Sequence, residues 1–268
     1  MRKDGYRIKN LEPYSRIIPH LMTKRTECQI HYQADFDMSR IEPYRSNNPS
    51  GIRFSYMTLA MTAYLRTVSQ YPEINRFNAN RRVYARRDFF ASFIMLRTSD
   101  DGQVQEAAVK VRLDLEDTIL DVHQKLEQAI NENRDGSANN NTDKTISKIM
   151  GLPFIAKMSI KIIKWLDAHG KLPRGFVDAS PYHSSLFVSN LASINLDNAF
   201  HHLVEFGTNS VFMTIGRSTD KVIRLGMVID SRICGGYVWA KAHKAFCRYL
   251  KNPDLLEQKP EKVVHDIE

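Results

Sequence analysis

Near its C-terminus the chain runs Leu225-Gly-Met-Val-Ile-Asp-Ser-Arg-Ile-Cys-Gly-Gly236, then Tyr237-Val-Trp-Ala-Lys-Ala-His-Lys-Ala-Phe-Cys-Arg-Tyr-Leu250. The first part is a short apolar run of the kind a buried strand needs, the glycine pair marks a tight turn, and the second part is helical in length and pattern. A strand that turns sharply into a helix must join a sheet and be covered by a helical layer. That requirement points to a mixed α/β domain with helices covering a large sheet.

The upstream sequence supplies the other elements. Pro13-Tyr-Ser-Arg-Ile-Ile-Pro-His-Leu-Met22 predicts a short helix ahead of a strand over Cys28–Phe36, where Ile30, Tyr32, Ala34 and Phe36 share one face. Ser46-Asn-Asn-Pro-Ser-Gly51 breaks the chain, and Ile52–Tyr71 carries an apolar stripe broad enough for a buried helix that Pro72 ends. Asp88–Leu96 and Ala107–Leu113 read as a hairpin turning at Ser99-Asp-Asp-Gly102. Asp117 is placed to cap a helix lined by Ile119, Val122, Leu126, Ala129 and Ile130. Asn133–Asp143 reads as a polar surface loop, and two helical runs then lead to strands at Leu186–Leu191, Ser210–Ile215 and Val222–Ile229. No internal repeat interrupts this order, and 268 residues suffice for one domain with a single large core.

Four segments resemble the chloramphenicol acetyltransferase superfamily, and most closely the catalytic domain of the 2-oxoacid dehydrogenase acyltransferases. Ser15-Arg16 before a strand ending Asp35-Phe-Asp37 is similar to the family's opening, and Tyr71-Pro-Glu-Ile-Asn75 to its long helix closing in Pro-x-x-Asn. Phe187-Val-Ser-Asn-Leu191 resembles its Thr-Ile-Ser-Asn-Leu-Gly strand, with Ala192 in place of the glycine. The C-terminal turn stands where the family has His-Arg-x-x-Asp-Gly, but Ser231 holds the histidine position and Gly235 the aspartate position, leaving Arg232 and Gly236 in common. The resemblance spans residues 13–254 and implies a two-layer sandwich. It also implies a homotrimer with its active site between subunits, and coenzyme A or acyl-coenzyme A entering a channel from one side. No room remains for lipoyl or subunit-binding segments, so a stand-alone catalytic-type domain over 1–268 is expected.

In the family the histidine takes a proton from the attacking thiol or hydroxyl. Ser231 cannot do this, because a neutral imidazole accepts a proton near pH 7 and a hydroxyl does not. The resemblance makes Ser189 a candidate oxyanion donor, against the plainer reading of a strand serine bonded to neighbouring backbone. It also makes Arg16 the partner that an aspartate at 235 would have had. His201 and His202, in His201-His-Leu-Val-Glu-Phe-Gly207, are alternative bases or simply surface histidines. Cys234 is a nucleophile only if its pKa is lowered, and otherwise a small buried residue.

Arg81-Arg-Val-Tyr-Ala-Arg-Arg87 fits a solvated face better than a phosphate contact, and nucleic-acid binding has no supporting motif. Lys157, Lys161 and Lys164 on Phe154–Ala168 fit a helix packed on the sheet with lysines outward better than a membrane or groove-docking helix. The absence of an apolar leader, of a span near the roughly 18 apolar residues a membrane needs, and of metal-type spacing among Cys28, Cys234 and Cys247 together predict a cytoplasmic, metal-free protein. A net charge of +8 favours anionic partners. Three functions stay open: a degenerate acyltransferase that binds a ligand or partner, an active coenzyme A-dependent enzyme with a non-standard base, and a structural or interaction protein.

Overall fold

The protein is described by a computed structural model over residues 2–98, 102–134, 153–219 and 221–266. In chain order the elements are β1 (Gly5–Arg7), α1 (Pro13–Leu21), β2 (Gln29–Asp37), α2 (Met38–Asn47), α3 (Tyr56–Gln70), β3 (Arg76–Ala79), β4 (Arg82–Arg86), β5 (Phe89–Thr98) and β6 (Val104–Leu113). They continue with α4 (Ile119–Arg134), α5 (Pro153–Ala168), α6 (Arg174–Ala179), β7 (Leu186–Asn190), β8 (Val211–Ser218), β9 (Val222–Asp230) and α7 (Gly236–Lys251). Most of the expected hairpin loop at Ser99–Gly102, and the Asn133–Asp143 segment beyond Arg134, lie outside the described residues.

Six strands form a mixed sheet in the order β2-β9-β8-β7-β5-β6. β7 is parallel to β5 and β8, while the β2/β9, β8/β9 and β5/β6 pairs are antiparallel. Period-2 alternation sends one set of side chains to a single face: Ala34 and Phe36, Phe89, Ala91 and Phe93, Val109 and Val111, Leu186 and Val188, Met213 and Ile215, Leu225 and Met227. Helices α3, α4 and α7 lie on this face, and Tyr64, Leu65, Phe246 and Leu250 complete the core. The architecture is an α/β two-layer sandwich with its mixed sheet covered by helices on one side.

Local signals set the helix ends. Ser55 Oγ accepts the Thr58 amide at 3.0 Å, and α3 closes with Tyr71 N donating to Thr67 O at 2.9 Å before Pro72. The acidic end of β2 is also a cap, since Asp37 Oδ1 accepts the Ser39 amide at 3.0 Å. The α4 cap is one residue later than Asp117. Thr118 Oγ1 accepts the Asp121 amide at 3.3 Å while Asp121 Oδ2 accepts the Thr118 amide at 2.9 Å. Asp117 instead accepts the Asp114 amide and pairs with Lys125 at 2.6 Å.

Two expectations from charge patterning are corrected. The arginine-rich segment is not a solvated face but β4, the centre of a second sheet ordered β1-β4-β3, with Val83, Tyr84 and Ala85 buried. Arg86 turns inward, its guanidinium 4.7 Å from the Phe77 ring and donating to Thr208 Oγ1 at 3.0 Å. Arg81, Arg82 and Arg87 stay exposed. Helix α5 does not lie with its apolar side on the sheet, because Met158, Ile160, Ile162 and Trp165 are all about half exposed beside the exposed lysines.

Candidate functional site

Among the described residues the second face of the large sheet has little helical cover, the short α6 lying only over its β6 edge, where Lys110 Nζ donates to Val177 O at 2.8 Å. Its apolar content is a small cluster, Phe187, Phe212, Val228 and Leu203, with Ile94 against it. The register explains the row, since Phe187 pairs with Phe212 and Phe212 with Val228. The segment between β7 and β8 passes over this row as irregular chain. Its backbone lies against the sheet so closely that a Cβ at Gly226 would stand 2.5 Å from Ala199 O, and one at Gly216 would stand 2.4 Å from Asn198 N. Glycine is required at these two strand positions by that close approach.

This segment delivers His201 to the uncovered face. The His201 ring stacks on Phe212 with centroids 4.1 Å apart and planes 12° apart, and it stacks on His202 at 4.5 Å. His201 Nδ1 lies 2.8 Å from His202 O, and both histidines are exposed. A carbonyl can only accept, so Nδ1 is the donor in this contact, and in the neutral ring Nε2 is the acceptor. Ser189 belongs to the same face, two residues beyond Phe187 and paired with Thr214. Strand rise and spacing put its Cα roughly 8 Å from that of Phe212. Thr214 Oγ1 meanwhile donates to Ala199 O, which ties the passing segment down.

Ser231 lies at the other end of β9. Its amide donates to Cys28 O at 2.9 Å, and its side chain is half-buried. Thr214 pairs with both Gly226 and Ser189, so Ser189 is two strands and five residues away from Ser231. Those spacings put the two serines roughly 20 Å apart within one chain. Beside Ser231, Arg232 is 5% exposed and makes paired contacts to Asp230 at 2.8 and 2.7 Å. It also donates to Met22 O and Thr23 O at 3.2 and 3.1 Å. Burial alone would lower the Arg232 pKa, but its bonds and charge attraction to Asp230 outweigh that and raise it.

The glycine turn is conformationally ordinary. Gly235 is the α7 N-cap at φ −68° and ψ 152°, and a Cβ at either Gly235 or Gly236 would meet nothing within 4 Å. Arg16 is exposed on α1, its guanidinium donating to Leu11 O at 3.1 Å. Cys234 is buried, and burial pushes its thiol up to about 12, which removes the thiolate needed of a nucleophile.

A buried polar network that no sequence pattern announces braces the second face. Arg2 is 3.0 Å from Asp167, and Asp167 accepts the Gly207 amide at 3.2 Å. His183 lies 3.1 Å from Asp167 through Nε2 and 2.9 Å from Ser180 Oγ through Nδ1. Burial works to raise the Asp167 pKa, but the bonds and charge attraction of His183 and Arg2 take it below the ordinary carboxylate value. Ser180, His183 and Asp167 are each at most 9% exposed, so this line ties the interior together rather than facing a solute. Its partners are far apart in sequence, and no local pattern reveals them. Among the described residues no cluster of three His, Cys, Asp or Glu side chains could hold a metal ion. No described helix is long and apolar enough to cross a membrane.

No family model and no curated protein matches the chain. Solved structures do match in fold. A probable dihydrolipoamide acetyltransferase from Listeria monocytogenes aligns at TM-score 0.56 and 12% identity, over 92% of this chain and 95% of that one. A truncated catalytic core of the 2-oxoacid dehydrogenase multienzyme complex from Thermoplasma acidophilum aligns at 0.55 and 13%, over 92% and 99%. A chloramphenicol acetyltransferase aligns at 0.56 and 12%, over 92% and 100%. At these identities the shared property is the fold, which is that of the chloramphenicol acetyltransferase and 2-oxoacid dehydrogenase acyltransferase group.

Proposed function

We propose that the protein is a degenerate member of this acyltransferase group that binds coenzyme A, acyl-coenzyme A or a partner in the inherited channel, without turnover by the standard base. The observation that carries this reading is the C-terminal turn. Its strand, its Asp230–Arg232 pair and its helix are all intact, while Ser231 offers a hydroxyl where a base is needed and Gly235 offers no side chain. Loss of a general base costs about 10²–10⁴ in rate. The channel reading also needs a second subunit, because Ser231 and Ser189 are too far apart in one chain to hold one substrate. We infer a homotrimer. Exposed Tyr14, Ile17 and Leu21, at 74, 50 and 68%, give α1 an apolar stripe suited to burial against another copy.

One observation favours a second reading, an active enzyme with a non-standard base. The exposed His201 ring is stacked on Phe212, on the same sheet face as Ser189, with Nδ1 bonded to His202 O and Nε2 left without a bond among the described residues. Calorimetry with coenzyme A and chromatographic detection of the coenzyme A released from acetyl-coenzyme A in the presence of dihydrolipoamide separate the readings. The degenerate reading expects coenzyme A binding with no release above background. Turnover lost in His201→Ala selects the second reading, and no binding at all leaves a structural or interaction role. Light scattering that shows a stable monomer at micromolar concentration overturns the trimer.

A further inference from the structure

We propose that the pocket between the β3–β4 turn and the Glu205–Gly207 loop is a binding site for a phosphate dianion, free or as a monoester. The pocket has a volume of about 280 Å³, and its walls include Arg25, Asn78, Arg81, Lys164 and Arg232. These residues come from the α1–β2 connection, β3, its turn, α5 and the C-terminal turn, so the fold gathers four cations from separate segments.

Three features distinguish it from a chance basic patch. First, Asn78 is 8% exposed and lines the pocket, yet its Nδ2 has no hydrogen-bond partner among the described residues. A buried donor left unpaired costs about 1–3 kcal/mol and is rare in native proteins. An amide NH₂ calls for an acceptor, and phosphate oxygens are acceptors. Second, Arg25 is 5% exposed and, among the described residues, bonds no carboxylate; its guanidinium donates to the carbonyls of Val204, Phe206 and Gly207. Burial pulls its pKa down even against the attraction of Asp230, Glu205 and Asp167, none of which bonds to it directly among the described residues. Arg232 is close enough to repel Arg25.

Third, the acids on the same wall are already engaged. Asp167 is taken up by Arg2, His183 and the Gly207 amide, and Glu205 accepts the Thr26 amide at 3.2 Å. The backbone that carries Arg81 to the mouth is a tight turn. Asn80 and Arg81 both have positive φ, 47° and 59°, and form the two-residue turn closed by the Ala79–Arg82 pair. Guanidinium groups pair well with phosphate oxygens, and a pocket of this size takes a phosphate with a few attached atoms. The site does not depend on acyl transfer, so its test succeeds or fails separately from the proposed function.

The test is calorimetry of the full chain with inorganic phosphate, against chloride at matched ionic strength, with coenzyme A and dephospho-coenzyme A as further arms. Phosphate is expected to bind one per chain. Binding should weaken about tenfold or more in Arg81→Gln/Lys164→Gln, two exposed positions where the fold is not at risk, and vanish in Asn78→Asp once circular dichroism shows that variant folded. Coenzyme A binding at least tenfold tighter than dephospho-coenzyme A, with the difference lost in the double variant, assigns the site to a monoester. Equal binding of the two, with inorganic phosphate still bound, assigns it to free phosphate. No phosphate heat above chloride, or equal affinity in the wild type and the double variant, overturns the proposal.

Discussion

The two faces of the six-stranded sheet are built on different principles. The face under α3, α4 and α7 is a continuous apolar layer in which almost every inward side chain is buried. The opposite face carries one small cluster, a close-lying irregular segment, and a polar network that includes Arg2, Asp167 and His183. The first face is held by area removed from water. The second is held by pairing, because its charges and amides are buried and each needs a partner. Every candidate for chemistry or ligand binding lies on or beside the second face or at the strand ends, where the sheet is not sealed.

Truncating one aromatic on each face gives the largest test of this contrast. Phe246→Ala opens a hole beneath Tyr64 in the main core and should cost about 3–5 kcal/mol. Phe212→Ala removes the platform under His201 from a cluster that can settle inward, and should cost about 2 kcal/mol. Urea unfolding of both reads the difference, and equal losses would mean that the uncovered face is packed as tightly as the covered one.

A second test uses pH. Lys110 projects to the uncovered side, 4.4 Å from the Phe90 ring, and donates to Val177 O and Ser180 O. Burial lowers its pKa to about 8. The folded state therefore releases this proton near pH 8, while the unfolded chain holds it to the usual lysine value of about 10.4. Between those values the unfolded state binds more protons, so Lys110 adds stability as pH rises, and adds no slope below pH 8. Buried Cys28 and Cys234, pushed up to about 11 and about 12 by burial, pull the other way in the same window. The quantity to read is thus the wild-type slope minus that of Lys110→Met, from denaturation midpoints at pH 7 to 10. A positive difference is expected, and a zero difference would show the amine still hydrated.

The smallest expected effect is at the C-terminal turn. Gly235 has the backbone of an N-cap and open space at Cβ, so Gly235→Asp should cap α7 and add a few tenths of a kcal/mol. A loss of stability would reveal a contact made there by another chain.

The sequence disclosed the covered face and concealed the other for a physical reason. Val109, Val111 and Leu113 alternate and α3 carries a stripe, because burying one side of a strand or helix imposes a period on neighbouring residues. Pairing imposes no period. Arg2 finds Asp167 across most of the chain, and Arg25 finds three carbonyls in a loop near residue 205. Arg86 looked solvated because charge is normally exposed, and only the fold shows the Thr208 groups that receive it. Ser231, Gly235 and Ser189 stand out only by position in a resembling pattern. What surrounds them was not, since the carbonyl beneath Ser231 comes from Cys28.

The separation of Ser189 from Ser231 bears on how damage to this protein would be inherited. In the proposed homotrimer, a ligand held by both serines would lie between two copies, so its binding would fade on dilution. In that assembly, copies altered at Ser189 alone and copies altered at Ser231 alone would each weaken every ligand site they form by themselves. Mixed together, they would place one intact serine of each kind across some of the shared contacts, so two defective alleles could restore part of what neither supplies.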